Sequence, residues 1–256
     1  MRSPVLLVVA HGSRDPRHAA TVHALVRRVG ALRPGLRVET AFLDFNAPSV
    51  PQVLERLAAS GEAGDVIALP LLLTRAFHAK SDIPGVLREA SARLPELRIR
   101  QAEVLGPSPL LLAAVERRLR EAGLRPCDRR STGLVLAAAG STDPEAIAAI
   151  ADMARELRRT GWCSVRPAFA SASLPRTEDS VRALRDEGCA RVAVAPYVIA
   201  PGRLPDRIAE GAREADVLAG VLGPSPELAR LLLHRYDSAP AALTAPARTL
   251  RPAVPA

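Results

Sequence analysis

Three side chains in the first half of this 256-residue chain have the types and placement to bind a metal ion. His11 follows the apolar run 5–10, Asp44 follows the run 38–43, and His78 follows the run 66–73 after a short loop. Two imidazoles and a carboxylate suit a borderline divalent ion such as iron(II), cobalt(II) or nickel(II). Three protein ligands leave positions open for water or a substrate nitrogen, whereas a structural site tends to be closed. Neutral imidazole is also a base near neutral pH. The expected chemistry is therefore an exchangeable divalent ion held beside a proton acceptor.

Taken singly, each residue has a plainer reading. A histidine after a strand is often a turn residue, and Asp44 could cap a helix starting near Ser49. Asp15-Pro16 reads as a helix start, with proline at the first helical position. Ser81 and Asp82 read as caps for a helix at Ile83. The Gly12-Ser13 turn ahead of a helix suits an anion. His18 and His23 lie within a helix and are expected to be exposed, and His234 is given no catalytic role.

The second half of the chain separates these readings. Ala10-His11-Gly12-Ser13-Arg14-Asp15-Pro16 returns 128 residues later as Ala138-Ala139-Gly140-Ser141-Thr142-Asp143-Pro144. Ala41-Phe42 returns as Ala168-Phe169 after 127 residues, and Leu69-Pro70-Leu71 as Ala195-Pro196-Tyr197 after 126. Gly106-Pro107-Ser108-Pro109 returns as Gly223-Pro224-Ser225-Pro226 after 117. Landmarks in a kept order mean two similar domains and not a solenoid of short units. The second copy is shorter between its third-strand proline and its Gly-Pro-Ser-Pro turn. At the positions of His11, Asp44 and His78 it has Ala139, Ser171, and Leu204 or a gap. Joint loss of three residues expected to converge points to one site, on the first copy.

The elements that position these residues follow from periodicity. Strands are expected at 5–10, 38–43, 66–73 and 99–105, then at 133–138, 164–170, 192–199 and 217–222. Helices are expected at 16–32, 49–59, 83–94 and 109–122, then at 144–159, 177–187, 204–214 and 226–236. Strands alternating with helices make an α/β fold of two tandem duplicated domains, each a four-stranded parallel sheet flanked by helices. The divisions are 1–122, a linker at 123–131, 132–237, and a tail at 238–256 whose Ala/Pro/Thr/Arg composition reads as disordered. Ligands of such sheets bind beyond the carboxyl ends of the strands, where His11, Asp44 and His78 all fall.

Composition narrows the function classes. Hydrophobic residues at 48% and charged residues at 24% are those of an ordinary globular protein. The net charge of +8 comes from arginine, with Lys80 the only lysine, and no basic run carries interleaved aromatics. Nucleic acid is therefore not an expected partner, although a basic surface attracts an acidic small molecule. Three scattered cysteines without a CxxC pair argue against a structural zinc. With no signal sequence and no long apolar stretch, a cytoplasmic protein without membrane contact is expected. No GxxxxGK[ST] segment is present to bind a nucleotide.

Three stretches together resemble the CbiX/SirB family of sirohydrochlorin chelatases, within the class II chelatase superfamily. They are Leu6-Leu7-Val8-Val9-Ala10-His11-Gly12-Ser13-Arg14, Ala41-Phe42-Leu43-Asp44-Phe45 with Pro48-Ser49, and Pro70-Leu71-Leu72-Leu73 leading to His78 and Asp82-Ile83-Pro84. The resemblance covers the first half well, and the repeat matches the long, two-domain members. It implies a chelatase-like pair of lobes around a cleft, and insertion of iron or cobalt into sirohydrochlorin in sirohaem or cobalamin synthesis. It makes His11 and His78 the metal-binding and proton-removing residues. Asp44 stands where many members carry glutamate, one methylene longer. Ser13 and Arg14, with Arg75 and Lys80 around His78, become contacts for substrate carboxylates. A duplicated chain can form the cleft by itself, so a monomer is expected. Two other readings remain at this point: a carrier of metal or tetrapyrrole, which needs the same ligands, and a protoporphyrin ferrochelatase, whose apolar substrate fits poorly with 3% aromatic residues.

Overall fold

The computed structural model describes residues 3–61 and 64–239. In the first half the chain runs β1 (Val5–Ala10), α1 (Pro16–Leu32), β2 (Val38–Phe42), α2 (Val50–Ala59), β3 (Asp65–Pro70), a π-helical turn (His78–Asp82), α3 (Ile83–Arg93), β4 (Arg98–Gln101) and α4 (Pro109–Glu121). A 3₁₀ turn (Pro126–Ser131) leads to the second half. That half comprises β5 (Thr132–Ala138), α5 (Pro144–Arg159), β6 (Ser164–Phe169), α6 (Thr177–Asp186), β7 (Arg191–Tyr197), α7 (Arg203–Gly211), β8 (Val217–Leu218) and α8 (Pro226–Asp237). All strand pairs are parallel, in the orders β2-β1-β3-β4 and β6-β5-β7-β8. These are the two flanked four-stranded sheets that the alternation of strands and helices implies.

The two halves repeat each other in local chemistry. Asp15 and Asp143 cap α1 and α5 at identical dihedrals, each accepting from a backbone N–H two residues on and each followed by proline. Gly12 and Gly140 both have φ +96°, and a Cβ at either would lie 1.9 Å from the carbonyl oxygen of Asp44 or Ser171. Only glycine fits there, because the loop after β2 or β6 folds back directly onto the turn.

The edge strands are shorter than expected: β4 stops at Gln101 and β8 spans two residues. The apolar residues beyond them (Ala102, Leu105, Ala219 and Leu222) are buried in the shared core and keep single backbone bonds to the neighbouring segment, their N–H groups donating to the Ala68, Leu72, Val194 and Val198 carbonyls, outside the named strands. Hydrophobicity at these positions reports core burial, which continues past the regular strand pairing. β3 likewise ends at Pro70.

Strand alternation divides the apolar residues into three layers. Leu6, Val8 and Ala10 of β1 face the same core as Leu134, Leu136 and Ala138 of β5. Val5, Leu7 and Val9 face α2 and α3, while Val135 and Ala137 face α6 and α7. The shared core is built by exchange of the closing helices: α4 packs on β7 and α5, α8 packs on β3 and α1, and the two pack on each other. Arg118 of α4 donates to the Leu222 carbonyl at 2.9 Å, and Arg235 of α8 donates to the Leu105 carbonyl at 2.9 Å. These are the same contact seen from the two halves. Tyr236 Oη donates to the Pro4 carbonyl and Arg33 pairs with Asp237, so the end of α8 is fastened to the first half. The segment expected as a linker is held too, through Arg129 and Glu116 at 2.6 Å. Most of the tail expected to be disordered, 240–256, lies outside the described residues.

Two outcomes follow. Gly140→Ala should cost about 2 kcal/mol or more in urea unfolding, because a positive φ and a backbone clash coincide away from the histidines. Leu232→Ala, at a fully buried position of α8, should cost about 2–5 kcal/mol. Calorimetry of that variant should still give one transition, because the halves share one core; two separated transitions would contradict the exchanged packing.

Candidate active site

β1, β2 and β3 deliver their following residues to one edge of the first sheet. Past the strand ends the ladder between β1 and β2 continues, with Leu43 N–H donating to the Ala10 carbonyl and Asp44 N–H to the His11 carbonyl at 2.9 Å. This sets His11 beside Asp44. Ser13 N–H donates to Asn46 Oδ1 at 2.8 Å and so fixes the turn that carries His11. His78 opens the π-helical turn that runs directly into α3. Such widened turns often serve a function, because they re-aim a side chain.

The two imidazoles meet edge to face, with ring centroids 4.5 Å apart. His11 Nδ1 lies 3.2 Å from the Gly12 carbonyl and His78 Nδ1 lies 2.5 Å from Asp82 Oδ2. Both oxygens only accept, so each contact favours the Nδ1–H tautomer and leaves a lone pair on Nε2. Orientation of a ligating histidine through its other nitrogen is the usual arrangement at metal sites. Asp82 therefore does not cap α3, as its place in the sequence suggests; its carboxylate is one turn back, on His78.

Asp44 lines a cavity with them but does not complete a three-ligand cluster. Its carboxylate accepts from the Phe45 N–H at 2.8 Å, and among the described residues no three His, Cys, Asp or Glu side chains are close enough to hold a metal ion. The expected three-residue ligand set is thus a histidine pair with an aspartate at its rim. The shorter aspartate chain, satisfied by its neighbouring amide, stays near its own backbone.

The pair stands between two cavities. One is a cleft of about 570 Å³ between the halves, lined by His11, Ser13 and Thr74 on one wall and Ser141, Ile147 and Tyr197 on the other. The second, on the first half alone, is lined by His11, His78, Asp44, Asp82 and Glu89. Ala139 and Leu204, the counterparts of His11 and His78, line the cleft opposite. Both His78 and Leu204 line the cleft, as the alignment at Leu204 requires, and the second half is shorter in the helix and turn that follow. The cleft therefore has one titratable wall and one mainly apolar wall.

His18 corrects the sequence reading. It is half-buried and lines the cleft, and its buried Nδ1 has no hydrogen-bond partner. Burial, with His11 as a second cause, pushes its pKa below the ordinary histidine value. The signal was available in the repeat, since the counterpart of His18 is Ala146, which also lines the cleft. Arg203, another cleft residue, has no such signal. Arg14 is exposed and lies over the Phe45 ring at 5.3 Å, and neither it nor Arg75 lines the two cavities. Lys80 is already paired with Asp143 and Glu145 of the second half.

Among the described residues no helix is long and apolar enough to cross a membrane. The sirohydrochlorin cobaltochelatase of Priestia megaterium is 28% identical over 244 residues, covering 91% of this chain and 78% of that protein. The sirohydrochlorin ferrochelatase of the same organism is 26% identical over 241 residues, covering 91% and 89%. SirB from Bacillus subtilis with Fe3+ shares the fold, with a TM-score of 0.78 at 24% identity over 92% of this chain and 94% of that one. The profile of the CbiX family matches residues 5–122 and matches again at 133–239, one copy for each sheet. Two copies of one family signature, each closing its helix over the other's sheet, account for nearly the whole described chain, and the chain belongs to the CbiX family.

Proposed function

We propose that this chain inserts a divalent metal ion, iron(II) or cobalt(II), into sirohydrochlorin without a nucleotide. The observation that carries the reading is the His11–His78 pair, held edge to face at 4.5 Å on one wall of a cleft whose other wall carries alanine and leucine at the same positions. The two Nε2 lone pairs hold the ion weakly, because two nitrogen ligands leave most of its coordination positions to water and to the incoming pyrrole nitrogens. Asp82 keeps the His78 ring aimed. Asp44, at the rim, adds charge attraction for the cation.

The macrocycle lies against the apolar second wall with its carboxylates toward the rim, where Ser13, Arg14 and Arg203 meet them and Arg75 and Lys80 lie further out. Transfer is an exchange. As the ion passes from imidazole to the ring nitrogens, each lone pair it vacates is free to take a pyrrole proton, so charge and protons balance within the cleft. The same scheme accommodates nickel(II), and the ligand set does not rank the three ions. The relatives support this reading, one being named a cobaltochelatase and one a ferrochelatase. A monomer suffices, because one chain supplies both walls.

Anaerobic absorbance of sirohydrochlorin mixed with iron(II) or cobalt(II) tests this. His11→Ala and His78→Ala should each lower kcat by about 10²-fold or more. Asp82→Asn should cost roughly 10-fold, less than His78→Ala, because it loosens the ring without removing the ligand. Full activity in His11→Ala would remove the assignment. Stoichiometric binding of pigment or metal without turnover in the unaltered protein would make it a carrier.

A further inference from the structure

Two cations, Lys80 and Arg17, join the halves across the cleft through three ion pairs. Lys80 Nζ lies 2.7 Å from Asp143 Oδ2 and 2.7 Å from Glu145 Oε2. Arg17 Nη2 lies 2.9 Å from Asp206 Oδ2. Both bridge segments that line the cleft: Lys80 follows His78, Asp143 follows Thr142, Arg17 precedes His18, and Asp206 follows Pro205. The repeat equates Lys80 with Asp206 and Arg17 with Glu145. The two bridges are thus one contact made twice, with its polarity reversed.

That reversal has a physical consequence. Two faithful copies of the repeat would give each half one cation and one anion. Here both cations stand on the half that carries the histidines, and all their cross-cleft counter-ions stand on the other half. When the bridges open, two positive side chains are left on the wall of His11 and His78, and the negative ones stay on the apolar wall. Arg17 also stays aimed, because Asp15 of its own half grips the guanidinium through Nε and Nη2. Every member of the bridges is at least partly exposed. Such pairs are individually weak and screened by salt, so another carboxylate can replace them at little cost.

We propose that Arg17 and Lys80 are binding positions for two carboxylates of the substrate, occupied in the closed cleft by Asp206, Asp143 and Glu145 as internal placeholders. Entry of a polycarboxylate exchanges one set of acidic partners for another. The same anions, carried on the far wall, disfavour a polycarboxylate in the reverse orientation. The substrate identity rests on the chelatase reading above; the exchange itself concerns only carboxylates.

The test neutralises the placeholders without changing their shape: Asp143→Asn, Glu145→Gln and Asp206→Asn in one protein, the first chosen because asparagine also caps a helix. Three readouts are compared with the unaltered protein. Hydrogen exchange of segments 74–80 and 200–206 should become faster without any ligand. Sirohydrochlorin titrated without metal should bind about 3- to 10-fold tighter, and in the metal assay KM should fall while kcat stays within about twofold. Arg17→Gln and Lys80→Met should instead weaken binding by about the same factor. Unchanged or weaker binding in the triple variant, with normal hydrogen exchange elsewhere to show that it is folded, overturns the exchange. Turnover with no change in affinity across all variants rejects the exchange alone. Tighter binding with no turnover in any protein supports the exchange and rejects the chelatase reading.

Discussion

The structure depends on the reciprocal packing of α4 and α8. Each closing helix leaves the sheet that precedes it and covers the other, so neither sheet can bury its inner face without the other half of the chain. Arg118 and Arg235 fasten the exchange by donating to the equivalent carbonyls of Leu222 and Leu105. A cleft between independently packed domains would vary with a flexible linker. Here its walls project from one continuous core, which is what lets a histidine pair on one wall work against an apolar surface on the other.

On this frame the backbone is conservative and the side chains are not. The glycine turn, the aspartate cap and the proline start occur in both halves with matching geometry. Only the first turn carries an imidazole, and the π-helical turn that carries the other, with its own carboxylate, occurs in the first half alone among the described residues. Ser173 takes the place of Asn46 in holding the second turn, with its hydroxyl facing Ser141. The second half therefore shares the turns that position the histidines but carries no imidazole at the matching positions, and it forms the opposing wall. Under the proposed function, concentrating the imidazoles on one wall would give the metal a single home and leave the other surface free for a flat macrocycle. The reversed charges of the cross-cleft bridges follow the same pattern, with cations on the chemical wall and anions on the apolar one.

The sequence alone determined what local periodicity and local capping determine. The alternation of buried strands and amphipathic helices, the Asp15 and Asp143 helix starts and the order of the repeat are each set by residues a few positions apart. So was the candidacy of His11 and His78, because residues just beyond parallel strands share one edge of the sheet. Partner choice across the chain was decided by tertiary structure. Nothing in the pattern of α4 or α8 says which sheet its apolar face covers, because that face is complementary to either sheet. The ends of β4 and β8 were overestimated for a related reason: Leu105 and Leu222 are apolar for a core that forms only when the halves meet. The exposure of His18, the move of Asp82 from cap to imidazole partner, the place of Asp44 at the rim of the histidine pair and the capture of Lys80 by Asp143 and Glu145 all depend on distances between side chains. Spacing along a chain bounds such distances, and only packing sets them.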